Sequence, residues 1–287
     1  MAPHLSRSIC LSFTVATAGC LQPEDSRPSL EASALVSSQY NWRGMVQNER
    51  GVIQGAAAAS VPFRYGGAFG LKAWANLDLT DETGDAWMPD GHAGEITEVD
   101  LTASYSRRIG TVDLSGGAIS YVPANGSELL NGRRGGTTEV FATAGGDILP
   151  SSVFGLYPLL AVHYDGDEAD GFYLNGGVFK GFSVIGDLRL DLSISAGYST
   201  GSHSWWTYGV REDGFSDLRG TATISYPLGE ATVLAAGVAA SAIIDADIRR
   251  WIETRAIVRR DPGAADGFER GIDTDTVWYT LGVSHRF

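Results

Sequence analysis

"GDLRLDLSISAGYST", Gly186 to Thr200, changes character at every step. Leu188, Leu190, Leu192, Ile194, Ala196 and Tyr198 fall on one parity; Arg189, Asp191, Ser193 and Ser195 fall on the other. Period two is the signature of a strand whose faces see different surroundings. Here the second face carries full charges, so one side asks for an apolar medium and the other for water. The same alternation recurs in "GAFGLKAWANLDL" (Gly67–Leu79) and "EITEVDLTASYSR" (Glu95–Arg107). It returns in "TVWYTLGVSHRF", Thr276 to Phe287.

Twelve such segments can be marked, near 33–43, 52–61, 67–79, 96–107, 112–122, 137–147, 153–164, 172–181, 186–199, 215–226, 231–245 and 274–287. The eleventh, "ATVLAAGVAASAII", has a parity blurred by alanine, and a buried helix is its alternative reading. An even total favours a strand, because single-chain bacterial outer-membrane barrels have even strand numbers. The connections sort by parity as well. "PFRYGG", "RIGT", "ILPSS", "FSVI" and "PLGE" are tight, whereas the intervening connections are intermediate or long and polar. Short periplasmic turns and longer outer loops are what a transmembrane barrel requires. On the apolar parity, Tyr40, Trp42, Tyr105, Tyr164, Phe172, Tyr198, Tyr226, Tyr279 and Phe287 sit near segment ends, where interfacial girdles would lie. The expected fold is all-β: a transmembrane antiparallel barrel of about twelve strands in the outer membrane of a Gram-negative bacterium.

Composition agrees. The 287 residues include 37 glycines and 10 prolines, suited to many strands and turns. A formal charge of −13 speaks against a nucleic-acid partner, since phosphate binding needs a basic face. Residues 1–19 read as a signal peptide, with an apolar stretch Ile9–Gly19 too short to span a bilayer. "TAGC" resembles a lipobox that would lipidate Cys20, while Ala16-Thr17-Ala18 fits ordinary cleavage; both readings stand. Residues 20–32 read as a polar tether and 33–287 as the barrel. Phe287 is expected to serve the barrel assembly machinery as a carboxy-terminal signal, and the outer surface to meet lipid and lipopolysaccharide.

"SSQYNWRGMVQNERGVIQG" (Ser37–Gly55) resembles the first hairpin of TorF-family outer-membrane barrels, through Tyr40, Trp42, Arg43, Gly44, Gln47, Gln54 and Gly55. "HYDGDEADGFYLNGG" (His163–Gly177) is similar to the family's later acidic hairpin loop. The resemblance implies a porin and brings no catalytic residues with it.

Lumen parity selects Arg43, Lys72, Asp78, Glu98, Asp100, Asp113, Glu139, Arg189, Asp191, Asp217, Arg219 and Arg286 as pore-lining. Acids outnumber bases there, so the expected function is passive diffusion of small hydrophilic solutes with a weak cation preference. A structural or adhesive barrel with a plugged lumen is the alternative. An outer-membrane hydrolase ranks third, on "SHS" (Ser202–Ser204) with Glu212 and Asp213 nearby. Trp205 and Trp206 read otherwise as exposed contacts for lipopolysaccharide or a partner. Asp165, Asp167, Glu168 and Asp170 form an acidic tip whose spacing misses the EF-hand pattern. The arginines of the last loop, Arg249, Arg250, Arg255, Arg259, Arg260 and Arg270, would suit lipid A phosphates or internal salt bridges. No metal, cofactor or catalytic residue is expected.

Overall fold

The computed structural model describes residues 27–81, 93–124, 136–146, 155–255 and 273–287. Cys20, the signal peptide, His92 and the part of the last loop holding Arg259, Arg260 and Arg270 lie outside the described residues. The wall is a closed antiparallel barrel of twelve strands. They are β1 (Ser29–Ser37), β4 (Val52–Pro62), β5 (Ala68–Asp78), β6 (Ile96–Ile109), β7 (Val112–Pro123) and β8 (Thr137–Gly146), then β9 (Tyr157–Asp165), β10 (Gly171–Ile185), β11 (Leu188–Ser199), β12 (Gly214–Pro227), β13 (Thr232–Ile243) and β14 (Asp275–Arg286). The blurred eleventh segment is a strand. Closure comes from β1 pairing with β14, from Glu31 opposite Arg286 to Ser37 opposite Thr280, while its other edge pairs with β4. No edge is left open, which is how a sheet survives where backbone groups find no water.

The alternation becomes two faces. Leu71, Leu101, Leu160, Ile194, Val277 and Leu281 are all more than half exposed on the outer surface. Large exposed apolar side chains in a continuous band mean that the medium around the wall is lipid. Rings bound the band at both ends. Tyr164 packs on Phe172 and Tyr198 on Phe215 at the loop end, and Phe63, Phe69 and Tyr105 cluster at the turn end. Lys180, the one cation of this parity, extends over the ring of Phe182, 5.1 Å away, and keeps its stem in the band.

Ends differ from the sequence reading in physically telling ways. "FSVI" is wall, since β10 continues to Ile185 and the turn is Gly186–Asp187, with Gly186 at φ +55°. The barrel begins at Ser29, inside the segment read as tether. Most consequentially, 33–43 is not one strand. The wall stops at Ser37, Ser38 donates its amide to the Tyr279 carbonyl, and the chain turns inward. There it makes a second, two-stranded sheet, β2 (Tyr40–Trp42) with β3 (Met45–Asn48). Two loop helices, α1 (Gly201–Thr207) and α2 (Ala246–Arg255), complete the described fold. Asp245 caps α2 by accepting the amides of Asp247 and Ile248.

Candidate functional site

The inward hairpin occupies the loop end of the lumen. Every residue from 39 to 48 is buried. Its tip is Arg43–Gly44, both at positive φ (48° and 81°), as a two-residue hairpin loop of the primed kind demands. Glycine suits that geometry; arginine does not, and a strained residue kept at such a place points to what its side chain does. Gly44 also sits where a Cβ would lie 2.6 Å from Ile243 Cδ1 and 2.8 Å from Asp217 Cβ. Gly44→Ala should therefore loosen hairpin docking by about 2–4 kcal/mol, from backbone handedness and overpacking together. Hydrogen exchange of residues 39–48 would read the change while the wall strands keep their protection.

Arg43 reaches across the lumen to β8. Its NH1 and NH2 donate to Glu139 Oε1 and Oε2, both at 2.7 Å, in a bidentate fork. The guanidinium lies between the rings of Trp42 and Tyr173, 4.4 and 4.2 Å from their centroids. NH1 also donates to His203 Nε2 on α1, 2.6 Å away. Tyr121 donates its hydroxyl to Glu139 Oε2 at 3.0 Å, and His163 Nδ1 stands 3.2 Å from the same oxygen. Glu139 and His203 are wholly buried. Burial alone would lower the Arg43 guanidinium, yet the Glu139 carboxylate holds it above its ordinary value. Burial pushes the His203 imidazole down to about 4 against the pull of Glu139.

Two apolar clusters brace the hairpin. Met45 and Val46 pack with Tyr208, Ile243, Ile248 and Ile252, so α2 and the residue that ends α1 lean on β3. Tyr40 and Trp42 pack with Val52, Trp74, Ile119, Tyr121 and Phe141. These contacts correct the girdle assignment of Tyr40 and Trp42: they belong to the plug and pack on the inner wall, not on lipid. Trp206 is likewise turned inward, edge-on to Trp42 with centroids 6.1 Å apart, so the reading of it as an exposed contact is also corrected. Hydrogen bonds add register: Tyr40 donates its hydroxyl to Glu98 at 2.7 Å, Asn41 donates to Thr276 at 3.3 Å, and Tyr208 donates to the Arg43 carbonyl at 2.9 Å.

The residues selected by parity divide into two levels. Asp78, Glu98, Asp100, Glu139 and Asp217 point inward at the loop end and are buried beneath the plug. Asp165 joins them; far from tipping a solvated loop, it is fully buried, accepts Thr137 Oγ1 at 2.6 Å and caps the amides of Asp167 and Glu168. Lys72 and Arg219 are partly covered, Arg219 lying 4.9 Å from the Trp278 ring. At the turn end the charges are more exposed: Arg189 pairs with Asp191 at 3.1 Å and Arg108 approaches Asp113 at 3.8 Å, all partly or well exposed. Arg43 lines the lumen from the hairpin tip, not from a strand. In α2, Arg249 pairs with Glu253 and Asp275, so the start of the last loop is helical and salt-bridged and does not prolong the wall.

Ser199, His203 and Glu139 come together in a way that resembles a catalytic triad, and the hydrogen-bond chemistry argues against one. A guanidinium only donates, so His203 Nε2 must accept from Arg43 and the ring proton sits on Nδ1. Nδ1 lies 2.7 Å from Ser199 Oγ. The imidazole therefore donates to that serine and has no lone pair with which to take its proton.

An even-stranded closed barrel, apolar outside between aromatic rings and charged inside, is a multi-pass outer-membrane β-barrel. No protein-family model and no curated protein matches the chain. Among solved structures it is similar to an outer-membrane channel from Pseudomonas putida F1, at 9% identity over 93% of this chain and 100% of that one, TM-score 0.49. It is similar also to the KdgM porin in complex with disordered oligogalacturonate, at 11% identity over 90% of this chain and 99% of that one, TM-score 0.47. The NanC porin gives 9% identity over 89% and 98% of the two chains, TM-score 0.47.

Proposed function

We propose that the protein is a porin-like outer-membrane channel for passive diffusion of small hydrophilic solutes, closed on its outer side by hairpin β2–β3. The observation that carries the reading is the chemistry beneath the plug. A lumen filled only for strength would be packed with apolar side chains, which are as stabilising as buried ion pairs or more so. Here the hairpin covers Asp78, Glu98, Asp100, Glu139, Asp165 and Asp217, a charged wall suited to hydrated solutes and of little use to a solid scaffold. Of the residues that carry the resemblance to TorF-family barrels, Tyr40, Trp42, Arg43, Gly44 and Gln47 fall on this same hairpin and Gln54 and Gly55 on the adjoining β4, and we read the chain as akin to that family. Phe287, exposed and tied through its amide to the Leu30 carbonyl at 2.9 Å, keeps its proposed part in assembly.

Conductance in planar bilayers tests the channel. The native protein should give small or intermittent currents near neutral pH. Replacing residues 39–49 by a short Gly-Ser turn should raise the steady conductance at least severalfold. Silence in both proteins would return the barrel to the structural, plugged class.

A further inference from the structure

The two histidines around Glu139 have no part in conduction as such, and one of them is placed where a proton cannot be tolerated. His203 Nε2 accepts the Arg43 NH1 proton at 2.6 Å, and its Nδ1 is committed to Ser199 at 2.7 Å, with Thr207 Oγ1 at 3.2 Å. Both ring nitrogens are thus used in the neutral form. We propose that His203 is the proton-sensitive keeper of the hairpin, and that its protonation unlatches Arg43 and opens the lumen in acid; the inference rests on the channel reading above.

A proton on Nε2 would set an N–H against the guanidinium N–H, cation against cation, in a site that excludes water. The imidazolium would then compete with Arg43 for Glu139, whose Oε1 is 3.7 Å from Nε2. His203 has little room to swing clear. Its ring stacks on Tyr173 with centroids 5.6 Å apart, and α1 lies so close on β10 that a Cβ at Gly171 would be 2.5 Å from the His203 amide nitrogen. The charged and titratable groups facing it are Arg43 from the hairpin, Glu139 from β8, His163 and Asp165 from β9 and Tyr173 from β10, with Asp217 of β12 behind Tyr173. The two acids favour the imidazolium; Arg43 and the absence of solvent oppose it.

The sign follows from linkage. A docked His203 near 4 and a released one near its ordinary 6.5 mean that the docked form binds the proton more weakly. Closure is therefore fully favoured above about 6.5 and is lost as pH falls from there toward 4. Between pH 8 and pH 5 the open-to-closed ratio should rise roughly thirtyfold. Glu139 and Asp165 would add any response of their own, so a variant must isolate the histidine.

His203→Gln keeps an acceptor for Arg43 and cannot titrate. In the native protein, acid should raise the open probability in bilayers and lower the exchange protection of residues 39–48 by a similar factor, after correction for intrinsic exchange. His203→Gln should cut both changes to less than about threefold, while His163→Gln keeps them. A native acid response that survives His203→Gln, or is lost in His163→Gln alone, overturns the assignment, as does protection that does not change with pH. Acid-dependent loss of protection without current at any pH would support the latch and refute the channel.

Discussion

Glu139→Ala is expected to expel the hairpin while leaving the barrel assembled. The substitution strands the Arg43 guanidinium in a buried site, and removing one member of a buried pair costs about 3–5 kcal/mol. Tyr121 loses the same acceptor, so a buried hydroxyl is stranded along with the charge. Withdrawal of the hairpin into solvent relieves the stranded charge, and the penalty then appears as lost docking. Exchange protection of residues 39–48 should drop by roughly two to four orders of magnitude, with the wall strands unchanged and heat-modifiable gel mobility retained. Arg43→Met combined with Glu139→Leu should recover much of the docking, because removing both partners leaves no buried charge uncompensated. Protection within threefold of native in Glu139→Ala would mean that the two apolar clusters hold the hairpin alone.

The wall of this protein was legible because the pattern that specifies a lipid-facing strand is local. Leu188 to Tyr198 declares both its faces within a dozen residues, and so does Phe69 to Leu79. The hairpin was not legible for the same reason. Tyr40 and Trp42 continue the alternation of β1 after the chain has left the wall, and a local pattern cannot say whether an aromatic meets a lipid tail or the inside of the barrel. The signals against a continuous strand were Arg43-Gly44, able to turn, and the adjacent apolar pair Met45-Val46, which no two-faced strand would carry. The loop helices were equally open to detection. Ile248 and Ile252 stand four apart behind Asp245, an ordinary helix start that length and polarity disguised as loop. The latch itself lay beyond reach, since Arg43, Glu139 and His203 come from three distant segments and only closure of the barrel brings them together.

With the hairpin shortened, the open channel should select cations clearly, beyond the weak preference expected of the intact protein. Arg43 leaves with the hairpin, and the level it covered keeps Asp78, Glu98, Asp100, Glu139, Asp165 and Asp217 against Lys72 and Arg219. At the turn end the balance is nearly even, because Arg189 pairs with Asp191 and Arg108 with Asp113. The acid-rich level is thus the only stretch of described wall with a strong net sign, and charge rings of this kind set ion preference. Low-dielectric walls focus the field across the lumen, and screening shortens it from about 30 Å at 0.01 M salt to about 3 Å at 1 M. The permeability ratio of potassium to chloride should therefore be on the order of five to ten at the lower concentration and approach one at the higher. Glu98→Gln with Asp100→Asn should reduce the ratio without closing the pore. Reversal potentials that show anion preference in the shortened protein would mean that these carboxyls carry protons in the open lumen, and the charge argument for the channel would fall with them.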